Sequence, residues 1–164
     1  MVSGRKSSIE DRYSRPLRDL RISVTDRCNF RCPYCMPAEV YGERYKVIPR
    51  EHLLTFEEIV RITSILVDLG VEKVRITGGE PLIRQDVDQL ISMISAIEGI
   101  KDLAMTTNAY LLKGFVKKLK GAGLKRITVS LDSLDEDVFQ EMNGRGFGTT
   151  KVLDGIAAAS EEGF

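Results

Sequence analysis

Apolar and polar positions alternate from Leu20 to Thr25 (Leu-Arg-Ile-Ser-Val-Thr) with a β-branched bias, which predicts a first strand. An irregular stretch from Pro37 to Leu54 follows, punctuated by Pro37, Gly42 and Pro49. The period then changes. Thr55-Phe56-Glu57-Glu58 is a capping box, and Ile59, Ile62, Leu66 and Leu69 form the apolar stripe of a helix that stops at Gly70. Val74 to Thr77 reads as a second strand and Gly78-Gly79-Glu80-Pro81 as a turn; a helix over Asp86 to Ile97 then carries Leu90, Ile91 and Ile94. A third unit has a short strand at Leu103 to Thr106, Asn108 as a cap, and a basic amphipathic helix from Tyr110 to Lys120 ended by Gly121 and Gly123. A fourth strand, Arg126 to Leu131, leads to a second capping box, Ser133-Leu134-Asp135-Glu136, and a short helix to Met142. Asn143-Gly144-Arg145-Gly146 breaks it, and Thr149 or Thr150 starts a last helix through Val152, Ile156 and Ala159 to Gly163. Residues 1–14 lack periodicity and are expected to form a flexible N-terminal arm, with 15–164 folding together.

Four strand-then-helix units in succession imply an α/β fold of parallel strands joined by right-handed crossovers, either a doubly wound sheet or part of a (β/α) barrel. The polar positions decide between them. Cys28 to Cys35, Gly78 to Pro81, Thr106 to Asn108, and Ser130 with Asp132 all fall at predicted strand C-termini. In β/α barrels that whole face carries the site, whereas a doubly wound sheet concentrates it at one switch point. A partial barrel arc is therefore expected. A closed barrel has eight strands in about 250 residues, so this arc is not closed. A fragment is expected, or a chain that needs a partner to cover its fourth strand.

Composition narrows the function. With 164 residues, 43% hydrophobic and 29% charged, the chain reads as a folded globular sequence. Its 24 basic and 24 acidic side chains cancel, which argues against general nucleic-acid binding and leaves any bound anion to a local site. No stretch reaches the length of a membrane span and no secretory leader is evident, so a cytoplasmic location with reduced thiols is expected.

All three cysteines lie in Cys28-Asn29-Phe30-Arg31-Cys32-Pro33-Tyr34-Cys35. An odd number cannot pair fully in disulfides, and structural zinc normally takes four ligands. Three soft thiolates can hold three irons of a 4Fe-4S cubane and leave the fourth open to a small molecule. Other readings stand beside it. His52, the only histidine, could complete a zinc site, although it sits among charged residues. Cys32-Pro33-Tyr34-Cys35 matches the CPYC of thiol-disulfide oxidoreductases, but that chemistry needs a helix opening at the first cysteine, and Pro37 follows closely.

The CxxxCxYC motif after the first strand and GGEP after the second resemble the radical S-adenosylmethionine superfamily. Arg18 to Cys32, Arg75 to Leu82, Thr106-Thr107-Asn108 and Val129-Ser130-Leu131-Asp132 further resemble the GTP 3′,8-cyclase family of molybdenum-cofactor biosynthesis, from about Arg15 onward. The resemblance implies a radical lyase that converts GTP to 3′,8-cyclo-7,8-dihydro-GTP through a 5′-deoxyadenosyl radical made at the cluster. It implies Cys28, Cys32 and Cys35 as cluster ligands and Tyr34, Gly79 and Ser130 as S-adenosylmethionine contacts. It implies Arg21, Arg75 and Thr106 as GTP contacts, with an electron donor as partner and a homodimer as one assembly. By residue type alone, Tyr34 could equally pack, Gly78-Gly79 could be a plain turn, Asp132 could cap a helix, and Arg21 and Arg75 could face solvent.

Two departures accompany the resemblance. Ala109 stands where the family usually has glycine, which leaves a loop strained or reshaped if that position needs a positive φ. The family's second half carries three more cysteines for a second 4Fe-4S cluster, a lysine contact and a Gly-Gly tail, and none is in this sequence. These residues alone are therefore expected to be inactive, and a non-catalytic cluster-binding remnant is a further alternative.

Overall fold

The structure, a computed structural model, describes residues 9–42 and 45–164. Strands β1 (Asp19–Ser23), β2 (Lys73–Thr77), β3 (Asp102–Thr107) and β4 (Arg126–Val129) lie side by side in chain order, every neighbouring pair parallel. A doubly wound sheet would reverse order at a switch point. Sequential order is the arc of a barrel, as the polar strand ends implied.

Register sorts the side chains into rows. Leu20, Val74 and Leu103 align across the sheet, as do Ile22, Ile76, Met105 and Ile127. Both rows belong to the core or pack on it, against the helices. The alternate rows face the other way: Arg21, Arg75, Ala104 and Arg126 in one, with Ser23 beside Thr77 and Thr106 beside Thr128 in the next. The period of two thus gives an apolar convex face under the helices and a polar concave face.

The helices are α1 (Ala38–Tyr41), α2 (Phe56–Asp68), α3 (Val87–Ser95), α4 (Val116–Gly121), α5 (Glu136–Asn143) and α6 (Thr150–Glu161). The Thr55–Glu58 capping box is formed in both directions, Thr55 N to Glu58 Oε2 at 2.8 Å and Glu58 N to Thr55 Oγ1 at 3.2 Å. Leu90, Ile91 and Ile94 of α3 are fully buried, each contributing about 1.5–3 kcal/mol by removal from water.

Several predicted elements differ. The single helix expected over 110–120 is a 3₁₀ turn, Leu112–Gly114, followed by α4. Gly114 and Phe115, at φ −113°, break the helical path, yet Leu112, Val116 and Leu119 keep helical spacing toward the core. Asn108 caps no helix; its Oδ1 accepts from Tyr110 N. Helix α5 is capped by Asp135, whose carboxylate accepts from Val138 N. Ser133 instead accepts from Asp135 N, and Glu136 reaches Thr149. The stretch expected to be irregular holds α1 and a 3₁₀ turn, Arg50–His52. Of the N-terminal arm, residues 1–8 fall outside the described residues, while Asp11 pairs with Arg15 in a turn.

Two glycines separate helix propensity from packing. A Cβ on Gly121 meets nothing within 4 Å, so Gly121→Ala is expected to gain about 0.5–1 kcal/mol. On Gly155 it would lie 2.6 Å from Ala109 O, so Gly155→Ala is expected to lose about 1–3 kcal/mol. Thermal melts of the two variants should move in opposite directions.

Candidate functional site

The cysteine loop leaves β1 and turns over the C-terminal ends of the strands, held from two sides. Gly79 N donates to Thr25 O at 2.6 Å and Glu80 N to Arg27 O at 2.7 Å, joining the loop to the turn after β2 backbone to backbone. A Cβ on Gly79 would lie 2.2 Å from Arg27 O, so this approach admits only glycine. From the other side Arg31 N donates to Asn143 O at 2.8 Å, and a Cβ on Gly144 would lie 2.2 Å from Arg31 O. Gly144 also has a φ of 60°, so both space and backbone require glycine there. Phe30 anchors the loop from below, edge-on to Tyr110 and Phe139 and tilted against Phe147. The Arg31 guanidinium curls back to donate to the carbonyls of Cys28 and Phe30.

All three sulfurs line one cavity of about 210 Å³, shared with Thr25, Asp26, Gly78 and Gly79. Cys28 and Cys32 are half-buried and Cys35 is exposed. Burial is the largest influence on the Cys28 thiol and pushes its pKa up, with the Glu80 and Cys32 charges adding and the Phe30 N–H opposing. Burial likewise raises Cys32, against a hydrogen bond from Tyr34. A thiol-disulfide nucleophile needs the opposite shift and a helix start at Cys32, whereas here Cys32 to Cys35 form a turn. His52 is exposed, and among the described residues no three His, Cys, Asp or Glu side chains close on one metal position. A cluster, which takes one sulfur per iron, makes no such demand. Two buried polar atoms near the sulfurs, Asp26 Oδ1 and Asn29 Nδ2, lack a hydrogen-bond partner, and polar atoms left that way mark a place where a ligand fits. The three thiols on one cavity and these unpaired atoms fit an iron-sulfur cluster with a small-molecule ligand.

The other sequence candidates divide by place. Gly79 lines the sulfur cavity. Tyr34 is 61% exposed, but its hydroxyl bonds both Asp132 oxygens at 3.1 Å. Burial of that hydroxyl, then its bonds to Cys32 and Asp132, push its pKa up. Asp132 is thus a partner of the cysteine loop and not a helix cap. Register puts Arg21 and Arg75 side by side on the concave face, lining a second cavity of about 280 Å³. Thr106 lies one row further along that face, while Ser130, just past β4, is exposed.

Sequence reasoning missed four residues here. Lys73 and Arg126 line the arginine cavity, Arg126 paired with Asp102; the period of two places both on that face. Glu80 was read only as part of a turn, yet it is 1% exposed and accepts from Leu82 N, Thr107 Oγ1 and Asn108 N. Burial raises its pKa, opposed by those three bonds. Asn108 ties Glu80 to the cysteine loop through Asn29 Oδ1 at 2.8 Å. Neither buried contact has a local sequence signal.

The family profile described as Radical SAM superfamily matches residues 22–164. The chain belongs to the radical SAM superfamily. Among curated relatives it is 55% identical over 158 residues to the GTP 3′,8-cyclase of Staphylococcus haemolyticus, covering 96% of this chain and 46% of the relative. It is 52% identical to that of Staphylococcus epidermidis, covering 97% and 47%. The chain therefore spans about half the length of the curated relatives it matches. Among solved structures, methylornithine synthase (PylB) superposes with a TM-score of 0.69 at 18% identity, over 90% of this chain and 43% of that one. Streptococcus suis SuiB bound to S-adenosylmethionine gives 0.61 at 29% identity, over 82% and 30%. This radical SAM chain shares their fold, including the partial barrel arc. Among the described residues no helix is long and apolar enough to cross a membrane.

Two measurements check the site. In the metal-free chain at pH 8, alkylation mapped by mass spectrometry should modify Cys35 ahead of Cys28 and Cys32; Cys32 reacting first would restore the oxidoreductase reading. Gly79→Ala should lower the stability measured by urea unfolding by about 1–3 kcal/mol and reduce iron uptake, whereas Gly114→Ala, with nothing within 4 Å of its Cβ, should lower neither.

Proposed function

We propose that this chain is the part of a GTP 3′,8-cyclase that binds a 4Fe-4S cluster and S-adenosylmethionine, acting in the cytoplasm in the first step of molybdenum-cofactor biosynthesis. The observation that carries this is 52–55% identity to enzymes of that name across nearly the whole chain, joined to three thiols on one cavity. When bound, the cluster would supply the electron for reductive cleavage of S-adenosylmethionine, the chemistry that would begin radical attack on GTP. Cys28, Cys32 and Cys35 hold three irons. Gly79 offers backbone groups to the methionine moiety at the cavity wall, Ser130 adds a hydroxyl, and the Tyr34 ring is left exposed for the adenine.

Arg21 and Arg75 suit the GTP triphosphate. Adjacent cations on one concave surface are stabilised by a bound polyanion; Lys73 lies in the same cavity but stands between Asp19 and Asp102 in register. Thr106, one row nearer the cysteines, suits the nucleoside. An electron donor is required, and a second copy or further chain could cover the open edge of β4. The thiol-disulfide alternative loses its requirements with a raised Cys32 pKa.

Anaerobic reconstitution tests this reading. The chain should take up a 4Fe-4S cluster whose electron paramagnetic resonance (EPR) signal changes on adding S-adenosylmethionine, and Cys28→Ala should abolish both. These 164 residues, about half of their relatives' length, should not convert GTP. Absence of any cluster would overturn the proposal, and S-adenosylmethionine-insensitive cluster binding would favour the non-catalytic remnant.

A further inference from the structure

The carboxamide of Asn108 is fixed at both ends. Its Oδ1 accepts from Tyr110 N at 3.1 Å, so the amide orientation is determined and Nδ2 is the end turned toward the cysteine loop. That nitrogen donates to Asn29 Oδ1 at 2.8 Å and lies 3.9 Å from Cys28 Sγ. Two N–H groups are available on it, one for each acceptor. The backbone behind is held as firmly: Asn108 N donates to buried Glu80 Oε2 at 2.8 Å, and Ala109 turns away at φ 60°. Asn108 is 9% exposed, so water cannot substitute freely for these contacts.

A second donor, Phe30 N, lies 3.4 Å from the same sulfur. With a neutral thiol, Cys28 can itself donate toward Asn29 Oδ1, at 3.9 Å. A metal-bound Cys28 carries no proton and can only accept, which leaves both N–H groups aimed at sulfur. Asn29 Nδ2, buried with no partner, is a further donor in the same loop. Cys32 has a different neighbour, the Tyr34 hydroxyl shared with Asp132. The three cysteine corners are therefore not electrostatically alike.

We propose that Asn108 is a positioning residue that donates an N–H···S hydrogen bond to the Cys28 corner of the cluster and thereby raises its reduction potential, with Glu80 as the strut that aims it. This rests on the cluster-binding reading above. Hydrogen bonds to ligating sulfur draw off negative charge and favour the reduced, more negative cluster. The strut joins the turn after β2 to the end of β3, so the tuning is built into the strand ends and not into the loop.

The chain has three cysteines and so can hold one such cluster, which keeps the readout single. In an EPR-monitored redox titration of the reconstituted chain, Asn108→Leu, which removes the donor without adding charge, should lower the midpoint. At the wild-type midpoint its reduced-to-oxidised ratio should fall about tenfold, 59 mV for a one-electron couple. Asn108→Asp, which keeps the acceptor for Tyr110 N and reverses the other end, should fall further. Reduced iron content with an unchanged midpoint in the clusters that form would overturn the proposal and leave Asn108 a structural residue. In wild-type protein labelled with ¹⁵N-asparagine a ¹⁵N coupling to the reduced cluster is expected that labelled Asn108→Leu, which keeps Asn29, lacks; no coupling in the wild type, or the same coupling in both, overturns the proposal. No cluster in the wild type would overturn the function reading itself, a separate outcome.

Discussion

Two peptide segments meet here with no side chain between them. The turn after β2 lies directly on the cysteine loop, Gly79 against Arg27, and two short backbone hydrogen bonds fix their separation. The cavity wall, the carbonyl directions around the sulfurs and the depth at which Glu80 enters the protein all follow from that contact. Glu80 is where the constraint becomes electrostatic. A carboxylate 1% exposed is costly, and three donors from two strand ends hold it. Replacing it would free the end of β3 from the turn after β2, and with it the amide facing Cys28.

The sheet separates two tasks by side-chain parity alone. Odd positions of β1 and β2, Arg21 and Arg75, stand on the concave face; even positions, Leu20, Ile22, Val74 and Ile76, enter the core under the helices. The core and the polar concave surface therefore share a backbone without competing for residues. A shift of one residue in β1, β2 or β4 would bury an arginine and expose an isoleucine, so the same alternation that sets the concave face also protects its register.

How much of this was legible depended on the range of the interaction. The cysteine spacing, the Thr55–Glu58 box and the Leu90, Ile91 and Ile94 stripe are local, and each appears as read; in α2 the buried face is Ile59, Thr63 and Val67, while Ile62 and Leu69 of the expected stripe stay exposed because the helix packs rotated toward Thr63. The break at Gly114 and Phe115 was hidden because Leu112, Val116 and Leu119 preserve helical spacing across it. Ser133 and Asp135 are both competent caps two residues apart, and only the path of the chain chooses between them. Asp132 bonds a tyrosine 98 residues earlier, and Asn108 an asparagine 79 residues earlier, so no window of sequence could have joined them. Arg21 and Arg75 were ambiguous singly; parallel register made them a pair. Ala109 was seen as a departure, and its φ of 60° shows the backbone demand retained despite the methyl, at about 1–2 kcal/mol.

The clamp from Asn143 and Gly144 onto Arg31, with the Tyr34–Asp132 bond, has a consequence in time. The loop carrying the thiols leaves the ribosome about a hundred residues before the segments that lock it. At elongation of about 5–20 residues per second, that interval is on the order of 10 s. During it the cysteines are present but not arranged, open to oxidation or to stray metal. The arrangement of Cys28, Cys32 and Cys35 is thus complete only once Asp132 and Asn143 have been made.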